Sequence, residues 1–178
     1  MSSQDTMIRV ADESHLEALL ALATRTFVDT YTDFNTPEDM QQYLKEHFSK
    51  AVIAREIQEG TSAYLVALQG PKLMGYVKLV HCRHPQCLNG KNSLELERIY
   101  VDPAAKGHGI GSKLIAACLA KARNDNYDSL WLGVWERNND AISFYNNWGF
   151  VKRGNQDFLF GKDVQNDWVL EHNLGKEA

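Results

Sequence analysis

The sequence predicts an α/β fold: a mixed, mostly antiparallel central sheet with helices on both faces. Three observations predict it. Apolar stripes at helical spacing and short apolar or alternating runs succeed one another in the order β-ααα-β-β-β-α-β-α-β-β. Most of the helical stretches open on an Asp, Thr, Ser or Asn that can cap them. The 178 residues are 44% hydrophobic and 24% charged, which is the globular range and suits one domain over residues 1–178.

Each element has its own signal. Met7–Val10 reads as a short strand. Asp12 can cap a helix through about Tyr31, with Leu16, Leu19, Leu20, Ala23 and Phe27 on one stripe. Thr36-Pro37-Glu38-Asp39 starts a second helix: a cap, a proline in the first turn, and acids at the positive end of the dipole. Met40, Tyr43, Leu44 and Phe48 follow it. Ser49 caps a third helix, ended by Gly60. Ala63–Leu68 and Leu73–Val80 flank Gln69-Gly70-Pro71-Lys72 as a hairpin. Residues 81–92 form a polar loop and 93–101 a strand. Residues 109–125 form a helix with Ile110, Leu114, Ile115, Cys118 and Leu119 as its stripe. Ser129–Glu136 is a strand, Asn139–Trp148 a helix stopped by Gly149, and Phe150–Gly154 a strand. A last pair lies near Phe158–Phe160 and Trp168–Asn173.

Several function classes are excluded. A net charge of -4 argues against a dedicated nucleic-acid binder. No apolar run nears the roughly 18 residues of a membrane span. Met1-Ser2-Ser3-Gln4-Asp5 lacks the basic and apolar segments of a secretory signal. Cys82, Cys87 and Cys118 cannot all pair, so a reducing cytoplasm is the plain reading. Residues 1–60 carry net -6 and residues 61–178 net +2. This asymmetry suits a cationic substrate and an anionic cofactor; solvated helix faces account for it equally well.

The segment Lys106-Gly107-His108-Gly109-Ile110-Gly111-Ser112-Lys113 links a strand to a helix. Three glycines let a ligand approach the backbone, and the helix entry presents free N–H groups to an anion. A dinucleotide fingerprint would need its third glycine one residue later, and a P-loop would need Gly and Lys adjacent, where Ser112 intervenes. The plain alternative is a flexible helix entry.

Together with the later segment Asn138-Asn139-Asp140-Ala141-Ile142-Ser143-Phe144-Tyr145-Asn146-Asn147-Trp148-Gly149-Phe150, this loop resembles the GNAT superfamily of N-acetyltransferases. The similarity covers about residues 73–154. Lys106 stands where that family usually has Arg or Gln, which keeps the charge while the main chain binds phosphate. The resemblance implies a GNAT-like acyl-CoA transferase fold and acetyl-CoA as cosubstrate, with residues 106–112 on its pyrophosphate and no metal.

In Ser93–Val101, Leu94 and Leu96 have one parity and Ile99 and Val101 the other. Keeping all four in the core needs a bulge near Glu97-Arg98, and bulges are frequent beside active sites. The resemblance implies a bulge there too. It places Ile99, Tyr100 and Val101 along the acetyl-CoA arm and makes Glu97 the general base. A solvated strand carboxylate is the alternative for Glu97, and Glu95 is the reserve base.

Asn138 lies seven residues before Tyr145, about two helical turns, so both can serve one side. The resemblance implies that Asn138 contacts CoA and that Tyr145 protonates the departing thiolate. A thiol near pKa 8.5 and a phenol near 10 make that transfer not strongly uphill. A core aromatic is the alternative for Tyr145.

His81, Cys82, His84 and Cys87 offer four zinc-ligand types in seven residues, but no second separated pair exists, so an ordinary loop is expected. Trp131, Trp135, Trp148 and Trp168 read as core or pocket walls. His15, His47, His108 and His172 suggest no relay. No cysteine sits in a motif calling for an acyl-enzyme, so the expected route is direct attack in a ternary complex.

The segments Trp131–Glu136, Thr26–Tyr31 and Asp39–Leu44 are similar to the PaiA type of spermidine/spermine acetyltransferases. That similarity implies a small-molecule amine, such as a polyamine, attracted by Asp29, Asp33, Glu38 and Asp39, with Tyr31 lining its pocket. A silent acetyl-CoA sensor and an enzyme for another small amine or a protein amine are the rivals. Oligomeric state is not encoded in these patterns; a homodimer follows only from the resemblance.

Overall fold

The structure, a computed structural model, describes residues 5–160 and 163–175. Met1–Gln4, most of the stretch read for a secretory signal, lie outside the described residues. Among the described residues, seven strands hydrogen-bond in the order β1-β2-β3-β4-β5-β7-β6. The elements are β1 (Met7–Val10), α1 (Leu16–Tyr31), α2 (Pro37–His47), α3 (Lys50–Glu59), β2 (Ser62–Gln69), β3 (Lys72–Val80), β4 (Ser93–Val101), α4 (Ile110–Asn124), β5 (Ser129–Trp135), α5 (Asn139–Asn147), β6 (Val151–Phe160) and β7 (Asp163–Asn173). This is the mixed, mostly antiparallel α/β architecture that the order of patterns predicts: β1/β2, β5/β7 and β6/β7 are antiparallel and β4/β5 parallel. No helix among the described residues is long and apolar enough to cross a membrane.

The chain falls into two compact units, Met1–Lys78 with Arg98–Leu114, and Leu79–Glu97 with Ile115–Ala178. In the first, the caps behave as their side chains dictate. Asp12 caps a short 3-10 turn that leads into α1, Thr36 accepts from the Asp39 N–H, and Ser49 accepts from the Val52 N–H. Gly60 ends α3 at φ 66°, where a side chain would be strained. The α1 stripe buries Leu16, Leu19, Ala23 and Phe27. Phe27 then gathers the rings of Tyr43 and Phe48, with centroids 4.9 and 4.8 Å away. Against β2 and β3, Glu56 accepts from the Tyr64 hydroxyl (2.5 Å) and from Lys78 Nζ (2.8 Å). That pairing satisfies a lysine only 4% exposed, whose lone burial would be costly.

The second unit is built on β5. Its register with β4 runs from Ser93↔Ser129 to Glu95↔Trp131, while its register with β7 continues to Trp135↔Asp167. Buried Glu171 holds Lys91 Nζ (2.7 Å) and Arg153 Nε (2.8 Å). Burial pushes its carboxyl up, but hydrogen bonds from Lys91 and Arg153 and the Lys91 charge outweigh this and bring it below the usual value.

One sequence expectation needs correction. The strand Phe150–Gly154 and the piece near Phe158–Phe160 are one strand, β6, with a register shift between Lys152 and Gly154. Its polar middle, Asn155 to Asp157, hides the continuity because an edge strand need not alternate cleanly. Along β4, burial changes character at Glu97. Leu94 and Leu96 are buried, but Arg98 continues their parity into the buried side, and Ile99 and Val101 are half-buried. Arg98 can take a core position because its guanidinium lies 4.2 Å from the Phe48 ring centroid.

Candidate active site

The glycine-rich loop belongs to the first unit. At its entrance Asp102 donates its N–H to the Met74 carbonyl (2.8 Å). Its side chain caps the turn Pro103–Ala105 through the Ala104 N–H and accepts from Arg25 Nη2 at 2.6 Å. Gly107 and Gly109 follow with φ 80° and 74°. A Cβ at either would meet nothing within 4 Å, so these glycines serve a left-handed backbone left bare rather than a tight packing. The Lys113 N–H bonds to the Gly109 carbonyl at 3.0 Å, which sets the start of α4. The N–H groups of Ile110, Gly111 and Ser112 therefore lie in a first turn with no intrahelical acceptor. Exposed Lys106 adds a cation, and His108 folds its ring back so that Nδ1 lies 3.1 Å from the Lys106 carbonyl. Bare glycine backbone, a helix N-terminus and a lysine fit a pyrophosphate.

Sequence reasoning missed Gly75 in the same unit. A Cβ there would lie 3.0 Å from the Tyr100 carbonyl oxygen and 3.2 and 3.3 Å from Leu114 and Ile110. A glycine inside an apolar strand run was the available signal.

Of the residues expected at the acceptor side, Asp29, Asp33 and Glu38 are exposed on or beside α1 and α2, and Asp39 is half-buried in the Thr36 cap. Half-buried Tyr31 packs on Phe27, with ring centroids 4.7 Å apart. Its hydroxyl hydrogen-bonds that of Tyr100. Burial first, then the neighbouring Tyr31 and Tyr76, push the Tyr100 hydroxyl well above its usual range. The structure thus brings Tyr31 to Tyr100, and leaves Asp29 on an outward face.

Glu95, Glu97, Asn138 and Tyr145 belong to the second unit. Arg83, from the loop after β3, donates to Glu97 Oε1 at 2.9 Å and to Glu95 Oε2 at 3.4 Å. Burial pulls the Arg83 pKa down, but the charges of Glu97 and Glu95 outweigh it and hold the guanidinium more firmly protonated than usual. No sequence pattern singled out Arg83; it sits in the segment read as an ordinary loop. Asn138 caps α5 by accepting from the Ala141 N–H (3.2 Å). Tyr145 is 8% exposed, with Phe144 and Phe150 ring centroids at 5.5 and 5.7 Å. In the loop, His81 Nδ1 meets the Tyr127 hydroxyl (2.5 Å) and His84 Nδ1 the Ser93 hydroxyl (3.0 Å). Among the described residues no group of three or more His, Cys, Asp or Glu is placed to hold a metal ion.

Asp167 was also missed. It and Gln156 converge over Gly133, where a Cβ would lie 3.3 Å from Asp167 Oδ2 and 2.6 Å from Gln156 Nε2. Burial pushes its carboxyl from 3.8 up to about 6. A carboxyl raised on folding is best tolerated while protonated, below about pH 3.8, and its stability contribution is lost as pH rises through 6. Asp167→Asn is therefore expected to raise Tm at pH 8 by about 2–4 °C, the shift that roughly 1 kcal/mol gives a chain of this size, partial exposure limiting the cost. Thermal melts at pH 4 and pH 8 check this; a difference independent of pH would refute it.

The model of the acetyltransferase (GNAT) family matches residues 16–150. The chain belongs to that family. An uncharacterized N-acetyltransferase from the pepI 3' region of Lactobacillus delbrueckii subsp. lactis is 32% identical over 163 residues, 91% of this chain and 94% of its own length. An uncharacterized N-acetyltransferase of Mycobacterium tuberculosis is 28% identical over 158 residues, 89% and 97% of the two chains. Among solved structures, the PaiA N-acetyltransferase of Thermoplasma acidophilum in complex with coenzyme A shares the fold. Its TM-score is 0.75 at 24% identity, over 95% of this chain and 99% of that one. The acetyltransferase YncA of Salmonella typhimurium, solved with acetyl-CoA, gives 0.68 at 21% identity over 97% and 96%. The GNAT family match includes both segments that carried the sequence resemblance.

Proposed function

We propose that this GNAT acetyltransferase moves an acetyl group from acetyl-CoA to a primary amine by direct attack, with a polyamine such as spermidine or spermine as acceptor. The observation that carries the reading is the bare main chain at Gly107 and Gly109 leading into the first turn of α4. When bound, acetyl-CoA supplies an acetyl group activated as a thioester. Residues 106–112 hold its pyrophosphate, Lys106 adding charge, while Ile99, Tyr100 and Val101 run beside its arm. An ammonium of pKa about 10.4 is only about 0.1% neutral near pH 7.4, so the acceptor must lose a proton. Glu97 takes it, directly or through water. Main-chain N–H groups at Tyr100 and Val101 face the carbonyl oxygen as negative charge gathers there. Once the C–N bond has formed, the nitrogen sheds its second proton to solvent, Tyr145 gives its proton to the sulfur as the C–S bond breaks, and Tyr145 is then reprotonated from solvent. Asn138 supports it by starting α5, the helix on which Tyr145 is carried.

A covalent cysteine route has little support. Burial pushes the Cys118 thiol up to about 12, which leaves it unreactive. Cys82 and Cys87 are exposed loop residues.

Support for a polyamine comes from the net -6 of residues 1–60 and the exposed Asp29, Asp33 and Glu38. Several positive charges on one acceptor would feel this field over long range. The test is a panel of polyamines, amino acids and peptides with thiol-release detection. Spermidine and spermine are expected to show a lower KM than monoamines, and that KM rises with ionic strength as charge is screened. A spermidine KM no better than that of a neutral-bodied amine, and insensitive to salt, discards the polyamine. Acetyl-CoA binding without thiol release from any amine leaves a sensor, and ping-pong kinetics with an isolable acetyl-enzyme overturns direct attack.

A further inference from the structure

We infer that Arg83 is a positioning residue for this reaction: it fixes the carboxylate of Glu97 in place and keeps it ready to accept a proton. The inference rests on the reading of Glu97 as general base and goes beyond it by assigning what controls that base.

Glu95 and Glu97 are two apart on β4, so an extended strand turns both to one side, where two negative charges repel. Arg83 answers both with one nitrogen, at 2.9 Å to Glu97 and 3.4 Å to Glu95. The shorter contact falls on Glu97; the longer one is at the limit of a hydrogen bond. The guanidinium therefore distinguishes the two carboxylates that the sequence left as alternatives.

A surface arginine alone would hold nothing firmly, because its side chain is 55% exposed and screened. Here its main chain is anchored. The Arg83 carbonyl accepts from Trp131 Nε1 at 3.2 Å. Trp131 is 3% exposed, clusters with Leu88 and Val169, and is paired in register with Glu95. His84, next in sequence, meets the Ser93 hydroxyl at the start of the same strand. The loop is thus tied to the start of β4 and to β5 beside it.

The chemistry asks for this. A base must be unprotonated before it acts, and a nearby cation favours that form. It must also be aimed, and one charge-assisted hydrogen bond from an anchored residue aims a carboxylate better than solvent does.

The test compares Arg83→Gln, Arg83→Lys, Glu97→Gln and the double variant. It uses spermidine, or the fastest amine of the panel, and side-chain carboxyl NMR of Glu97. Arg83→Gln is expected to lower kcat about tenfold, part of what a positioned base supplies. It also moves the acid limb of the pH–rate profile and the Glu97 titration to higher pH. KM for acetyl-CoA stays unchanged, and Arg83→Lys restores most of the rate. In the Glu97→Gln background, removing Arg83 adds nothing. The inference is overturned if Arg83→Gln leaves both the acid limb and the Glu97 titration unmoved while Glu97→Gln still slows turnover. If Glu97→Gln leaves the rate unchanged, the base reading fails, and the NMR titration alone decides whether Arg83 holds that carboxylate.

Discussion

Gly109→Glu is expected to abolish acetyl-CoA binding in a protein that still folds. Gly109 sits at φ 74°, one residue before α4, with open space around it. Any side chain there costs about 1–2 kcal/mol of backbone strain. A glutamate adds a carboxylate where phosphate oxygens are to approach, and shields the N–H groups of the first helical turn. The two effects separate by comparison. Gly109→Ala carries only the strain and is expected to weaken binding up to about 30-fold, the equivalent of about 2 kcal/mol. Gly109→Glu should leave no measurable binding by calorimetry, while circular dichroism keeps the parent's shape and the melt falls by only about 2–8 °C, the effect of the strain alone. An unchanged affinity in the folded Glu variant would remove this loop from the cofactor site.

Tyr145→Phe is expected to lower kcat by roughly 10- to 1,000-fold, the range for losing a positioned proton donor, with little change in acetyl-CoA affinity. The substitution removes one oxygen and keeps the ring. Phe144 and Phe150 then hold that ring as before, so packing and stability should barely change. A role in the core alone would give the opposite pattern: normal turnover, with whatever loss there is appearing in the melt. Single-turnover measurements separate thiol departure from product release and show which step has slowed. Turnover near the parent value would return Tyr145 to a packing role.

Most of the fold could be read ahead because its signals are local. Caps at Asp12, Thr36 and Ser49, the left-handed stop at Gly60, and the α4 stripe each depend on a few neighbours in the chain. What stayed hidden is what distant partners decide. β6 is continuous because β7 supplies its hydrogen bonds, which outweigh its polar middle. Arg98 is buried because Phe48 lies under it, fifty residues earlier. The same division runs through the candidate site. The glycine loop announces itself by spacing, whereas Arg83, Gly75 and Asp167 matter through what faces them across a loop, a strand or a helix. A lone arginine in a polar loop carries no pattern until Glu97 is seen opposite it.

Gly75 has a consequence for how this chain can drift. Its missing side chain lets β3 lie against the Tyr100 carbonyl of β4 and against Ile110 and Leu114 of α4. The nine residues from Val101 to Gly109 are strung between those same two anchors. The span of that loop therefore depends on the absence of a Cβ at position 75. A methyl group would push strand and helix apart by tenths of an ångström and slacken or stretch the loop between them. Saturation mutagenesis at position 75, sorted by coenzyme retention rather than by solubility, would find soluble chains that have lost their grip on the coenzyme. Such a site mimics a binding residue in a functional screen, although its whole contribution is spacing.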